Sequence, residues 1–227
     1  MTRNLRSLLA VALLTVIAAN SAHAGFDYGF YDITHNNSTN EAIGEAQLSV
    51  NVSDAGGGLV RFLFSNSGPL ASSITDVYFD DRVATLFLRS FTSLEEGSGV
   101  DFTSPATPAN LPGAKSTGFK ATSQLTANST APVQPNGVNP GETLGLVLTL
   151  TSGRVFSDVV SALQSTALRI GIHVQGFANG GSESFINNPG GTVTPPPPVV
   201  PEPSSIMLVG TALVGLVIGR RRLHRAG

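Results

Sequence analysis

The sequence predicts an all-β fold, an antiparallel β-sandwich with one short helix; a small barrel is the alternative closure. Three observations carry this. Apolar residues recur at every second position in short runs, the pattern of half-buried strands. Gly, Asn, Pro and Ser clusters separate those runs at short intervals. Only 12% of the 227 residues are charged, too few for the polar faces of a helical bundle.

The elements follow in chain order. Ala46, Leu48, Val50 and Val52 alternate with Gln47, Ser49, Asn51 and Ser53. Asp54–Gly58 reads as a turn and Leu59–Phe64 as the return strand of a hairpin. Ile74–Phe79 and Val83–Phe91 are expected strands around Asp80, Asp81 and Arg82. Val100–Phe102 is short, and 104–117, with Pro105, Pro108 and Pro112, is irregular. Phe119–Ala127 and Leu144–Leu150 are further expected strands. Phe156, Val159, Val160 and Leu163 fall at helical spacing, with Ser157 as the expected N-cap. Leu168, Ile170, Ile172 and Val174 then alternate with Arg169, Gly171, His173 and Gln175, the cleanest strand pattern in the chain.

The two ends differ from this body. Arg3 and Arg6 precede the uncharged run Leu8–Ala19, and small residues Ala22 and Ala24 follow. That order is a signal peptide, cleaved before Gly25. Its 12 uncharged residues fall short of the ~20 that a spanning helix needs. At the other end stand Pro195–Pro198, then Pro201, Glu202 and Pro203, then the uncharged run Ser204–Gly219, then Arg220, Arg221 and Arg222. Proline locks φ and lacks a donor, so 189–203 is a stiff linker. A 16-residue helix over 204–219 rises ~24 Å, less than a ~30 Å hydrocarbon core, and its arginines stay cytoplasmic. The expected order is therefore signal peptide 1–24, β domain 25–188, linker 189–203, membrane helix 204–219 and basic tail 220–227.

This tripartite end resembles the PEP-CTERM sorting signal over about residues 199–227: Pro201-Glu202-Pro203, an apolar helix and the arginine cluster. The resemblance implies a bacterium of the Gram-negative type that makes exopolysaccharide. It also implies exosortase, a membrane processing enzyme, as a partner acting near Pro201–Pro203. The helix is then transient. Signal peptidase and the secretion machinery are the other expected partners, and exopolysaccharide is a candidate one.

Composition limits the body's function. Residues 25–200 carry seven Lys/Arg against fourteen Asp/Glu, a net −7, which argues against nucleic acid. Cysteine and tryptophan are absent, so there is no disulfide, no thiolate metal site and little ring-stacking surface for sugars. Of four histidines, His23 and His224 lie in the processed ends; His35 and His173 remain, with no ligand spacing for zinc. His173 reads as a surface or groove residue. No nucleophile elbow, phosphate loop or dinucleotide fingerprint occurs. Asp76, Asp80 and Asp81 read as a solvated turn, with calcium as the alternative, and Glu95–Glu96 as a polar turn. No catalytic, cofactor or metal residue is therefore assigned. The expectation is a non-catalytic exported surface or matrix protein. A polysaccharide- or calcium-binding module and a matrix hydrolase using His173 are the alternatives.

The signal-peptide reading predicts Gly25 as the first residue of the exported form. Terminal sequencing checks this, and an intact Met1 on a membrane-held form refutes it.

Overall fold

The computed structural model describes residues 25–81 and 86–194. The expected signal peptide, with Ala22 and Ala24, lies outside the described residues. So do Arg82 and the whole of 195–227, with Pro201, Glu202, Pro203, the 204–219 helix and Arg220–Arg222.

Antiparallel pairing joins eleven strands: β1 (Gly25–Asp32), β2 (Leu48–Gly56), β3 (Leu59–Asn66), β4 (Ser73–Asp80), β5 (Leu88–Glu96), β6 (Phe102–Thr103), β7 (Thr126–Ser129), β8 (Thr143–Leu150), β9 (Arg169–Gln175), β10 (Glu183–Asn187) and β11 (Thr192–Thr194). The hydrogen-bonded order is β5-β8-β3-β2-β1-β10-β9-β4-β7-β6, with β11 beside β1. Strand β1 belongs to both layers. Its Gly25–Gly29 half pairs β2, and its Phe30–Asp32 end pairs β10. One continuous ladder thus bends over on itself. Phe62 of β3 and Phe91 of β5 meet Phe79 of β4 edge-on, at 4.8 and 6.3 Å between ring centroids. The architecture is all-β and antiparallel as expected, between a sandwich and a nearly closed barrel.

The two layers are buried differently. In β2 and β3, buried residues alternate with half-exposed ones, so this layer shows one face to water. In β4 and β10, every residue is buried. Their inner faces (Ile74, Val77, Phe79, Phe185) join the main core. Their outer faces (Tyr78, Ile186) lie under residues of the 104–121 segment, Ala106, Leu111, Ala114 and Phe119, in a second apolar cluster. The irregular segment read from its prolines is a cover. Arg169 clamps it: its guanidinium donates to Thr117 O and Gly118 O at 3.0 Å and packs 5.2 Å from the Phe119 ring.

Two helices complete the body, not one. Helix α2 (Phe156–Gln164) links β8 in one layer to β9 in the other and places Val159, Ala162 and Leu163 in the core. Its N-cap is Val155, not Ser157, and the Asp158 carboxylate accepts the Val155 N–H at 3.0 Å. Helix α1 (Ser38–Gln47) was unforeseen, and Ala46 lies in it rather than in a strand. Its buried residues are Asn40, Gly44 and Gln47, so hydrophobic spacing could not reveal it. The Asn37 side chain caps it, accepting from Thr39 N and Asn40 N.

Other boundaries also move. The expected strand 119–127 shrinks to β7, because Phe119 is drawn into the cover and Thr122–Leu125 forms a turn. Strand β5 starts at Leu88, after the buried Asp81 carboxylate takes the Phe87 and Leu88 N–H groups. Strands β1 and β10 were not anticipated. Strand β11 falls in the expected linker, where Gly25, Phe26 and Asp27 of β1 pair with Thr194, Val193 and Thr192. The β2–β3 hairpin forms as expected, but its turn shrinks to Gly57–Gly58, because Asp54 and Gly56 pair with Val60 and Leu59; Gly56, Gly57 and Gly58 all lie at positive φ.

Gly44 is where α1 meets β10. A Cβ there would sit 2.1 Å from the Phe185 ring. Gly44→Ala should cost about 1–3 kcal/mol, measured as a urea midpoint shift; an unchanged midpoint would mean that α1 rides free of the sheet.

Candidate functional site

The polar chemistry of the body gathers in three places: the covered face of β4 and β9, the entry to α1, and the point where the chain leaves the sheet.

On β4 and β9, Asp76 and His173 are direct cross-strand partners, so their side chains share a face. His173 Nδ1 lies 3.1 Å from Asp76 Oδ2, and both side chains are largely buried. Thr75 Oγ1 donates to the same carboxylate oxygen at 2.8 Å, and Gln175 Nε2 donates to Thr75. The Tyr78 hydroxyl donates to Pro108 O at 3.0 Å; burial first, then the charge of Asp76, pushes its pKa up and keeps it a donor. On β10, Ser184 is the next cross-strand neighbour of His173.

Serine, imidazole and carboxylate thus stand side by side on three strands. Acyl transfer asks for more: a hydroxyl bonded to the imidazole and reachable by substrate. Ser184 is fully buried, and its Oγ has no hydrogen-bond partner. A cavity of about 570 Å³ lies elsewhere, between Leu86, Leu88, Arg89, Gln124 and Ser152, and neither Asp76 nor His173 lines it.

The reading of Asp76, Asp80 and Asp81 as a solvated turn is overturned. All three are buried. Asp76 holds His173, Asp80 ion-pairs with Arg169 and accepts Lys120 N, and Asp81 accepts Phe87 N and Leu88 N. Each carboxylate is engaged by protein donors. Burial raises the Asp81 pKa, and the two backbone donors oppose that shift. Glu95 and Glu96 are likewise strand residues: Glu95 pairs with Arg61 at 2.5 Å and Glu96 accepts Phe102 N.

The entry to α1 was missed in sequence. Asp32 and Glu183 are buried carboxylates of β1 and β10. Asp32 accepts from Thr34 Oγ1 and His35 N; Glu183 accepts from Thr34 Oγ1, Asn36 N and Asn37 N. Together they hold the loop that starts α1. His35, at φ +51°, sets Nδ1 3.2 Å from Asp32 Oδ2 and 3.3 Å from Glu41 Oε2. Among the described residues, Asp32, His35 and Glu41 bring one ligand atom each within 4.8 Å of one another. When protonated, His35 supplies a positive charge between the two carboxylates. The signal available in sequence was Asn36-Asn37-Ser38 ahead of Glu41, a helix start.

The third place is the exit. Gly25, the expected mature N-terminus, is paired on one side with Ser53 and on the other with Thr194, one residue before the proline run. No described helix is long and apolar enough to cross a membrane.

Comparison with known families places residues 199–222 in the PEP-CTERM protein-sorting motif. No curated protein and no solved structure matches the chain. The motif implies export, membrane sorting to the envelope and processing by exosortase.

The His35 pair gives a pH prediction. Its pKa is raised by the hydrogen bond to Glu41 and by the charges of Asp32, Glu41 and Glu183. A histidine pKa raised on folding adds stability below its unfolded value of ~6.5, and that stability is lost as pH rises through the folded pKa. The wild-type urea midpoint should therefore fall between pH ~5.5 and ~8 more than that of His35→Gln. Equal falls would show that the pair is idle.

Proposed function

We propose that this chain, which bears a PEP-CTERM protein-sorting motif, is an exported surface or exopolysaccharide-matrix protein whose β body is structural or adhesive rather than catalytic. The supporting observation is the joining of that motif to a self-contained antiparallel body. The body has a main core of aromatic and aliphatic residues and a second, covered one. Burial on this scale suits a durable domain that needs neither disulfide nor metal.

Turns with few charges suit a hydrated polymer. The loops at 67–72, 97–101 and 135–142 are made of Gly, Ser, Pro and Asn, with Leu70, Ala71, Val100, Val138, Asp101 and Glu142 among them. A calcium-binding role loses its expected ligands, because Asp76, Asp80 and Asp81 are spent on histidine, arginine and backbone donors. The hydrolase reading finds its imidazole–carboxylate pair. The adjacent hydroxyl, however, is shut away from solvent.

The sorting half predicts that the released form lacks Ser204–Gly227 by intact mass. Glu202→Ala, or alanine at Arg220–Arg222, should make full-length precursor accumulate; normal processing of either variant would count against the reading. For the body, incubation with the host's exopolysaccharide should retain the protein and leave polymer length unchanged. Chain shortening that disappears in His173→Ala would make the protein a hydrolase.

A further inference from the structure

The pairing of β1 with β11 sets where the chain leaves the body. In the first layer, Gly25, Ser53, Arg61 and Val147 form one cross-strand row, and Gly29, Ser49, Ser65 and Thr143 form another. Beyond the Gly25 row lie the 54–58 turn and the 151–153 turn, which meet where Leu150 N donates to Gly58 O. Helix α2 starts there too, since the Phe156 ring stands 6.3 Å from that of Phe26. Beyond the Thr143 row lies the opposite pole, where Gly97 N donates to Thr143 O and Gly141 N to Asn66 O. Thr194 pairs Gly25, so the expected signal peptide and the sorting segment leave from adjacent strands at the same pole. Neighbouring strands are only about 5 Å apart.

Building on the sorting reading, we propose that the pole bearing the Gly25–Thr194 pair faces the membrane while the chain is tethered, and that the 67–72, 97–101 and 135–142 pole points outward. Two constraints support this. Only nine residues, 195–203, separate Thr194 from Ser204. Even fully extended, at most ~3.6 Å each, nine residues limit the gap to about 32 Å. An eight-residue strand is about 27 Å long, so the far pole stands roughly twice as far from the lipid. The near pole also presents an apolar cluster, where the far pole exposes Leu70. Val155 and Val193 are more than half exposed beside the half-buried Phe26 and Phe156, and Val193 is the direct cross-strand partner of Phe26. Such apolar groups tolerate the headgroup boundary better than bulk water.

The chain has no cysteine, so single labels are clean. Full-length protein carrying either Ser152→Cys (near pole) or Ser98→Cys (far pole), each exposed, is labelled with a donor dye. Each is reconstituted into phosphatidylcholine/phosphatidylglycerol vesicles holding a headgroup acceptor. Energy transfer should be several-fold higher from position 152 than from 98. Adding Thr192→Pro and Val193→Pro removes β11. The tether then departs after Asn188, whose N–H bonds Gly29 O, with more free chain, and the contrast should shrink. Equal transfer from both labels in the unaltered sheet, or more from 98, overturns the orientation. Loss of the chain from floated vesicles overturns the sorting reading itself, and the orientation with it.

Discussion

Everything in this body hangs on the double pairing of β1. A strand that gave its N–H and C=O groups to one neighbour only would leave an open edge at the middle of the molecule. Here β2 takes one side of Gly25–Gly29. On the other side β11 takes Gly25–Asp27, and β10 takes Phe30–Asp32. The switch lets one ladder serve two layers. It also unites the N-terminal and C-terminal strands of the described chain, which are far apart in sequence. The hydrogen bonds of β1 are therefore the joint between the hairpins of the first layer and the β10-β9-β4 block of the second.

The second layer meets a different demand. Its strands β4 and β10 are buried on both faces, so any polar side chain there must be satisfied by protein. That explains why Asp76, Asp80, Asp81, Asp32 and Glu183 each engage specific donors. Arg169 shows the economy of the scheme. It neutralises Asp80 and ties down the 117–119 backbone, and it covers the Phe119 ring in the same pose. Among the described residues, the exceptions are the hydroxyls of Tyr28 and Ser184 and the Asn40 carbonyl oxygen, which are buried without partners.

These constraints connect to delivery. A domain sorted by its end has to keep that end accessible while the rest stays folded. Strand β11 places the last described pairing one residue before Pro195, so the proline run follows that pairing directly in sequence. Proline cannot donate to a further ladder bond, which makes it a natural terminator there. Helix α2 carries Val159, Ala162 and Leu163 into the core near this exit, so the pole that bears the tether is also well packed.

By itself the sequence determined the class of fold, the β2–β3 hairpin, β4, β8, β9 and helix α2, because each shows its apolar run or burial period locally. It also determined the sorting end, whose three parts are contiguous. Only the tertiary structure decided the rest, and the reason is physical. Strand β10 is buried on both faces, so alternation does not reveal it. Helix α1 is held by Asn37, Gly44 and Gln47 rather than by an apolar stripe. Strand β11 is a three-residue strand whose existence depends on β1, far away in the chain. The charged groups follow the same logic. Asp76 looks like a turn residue until β9 brings His173 beside it across 97 positions, and Glu183 looks like a loop residue until the backbone of 36–37 closes over it. Periodicity records what a residue does with its neighbours in sequence, whereas a cross-strand partner is set by folding the whole chain.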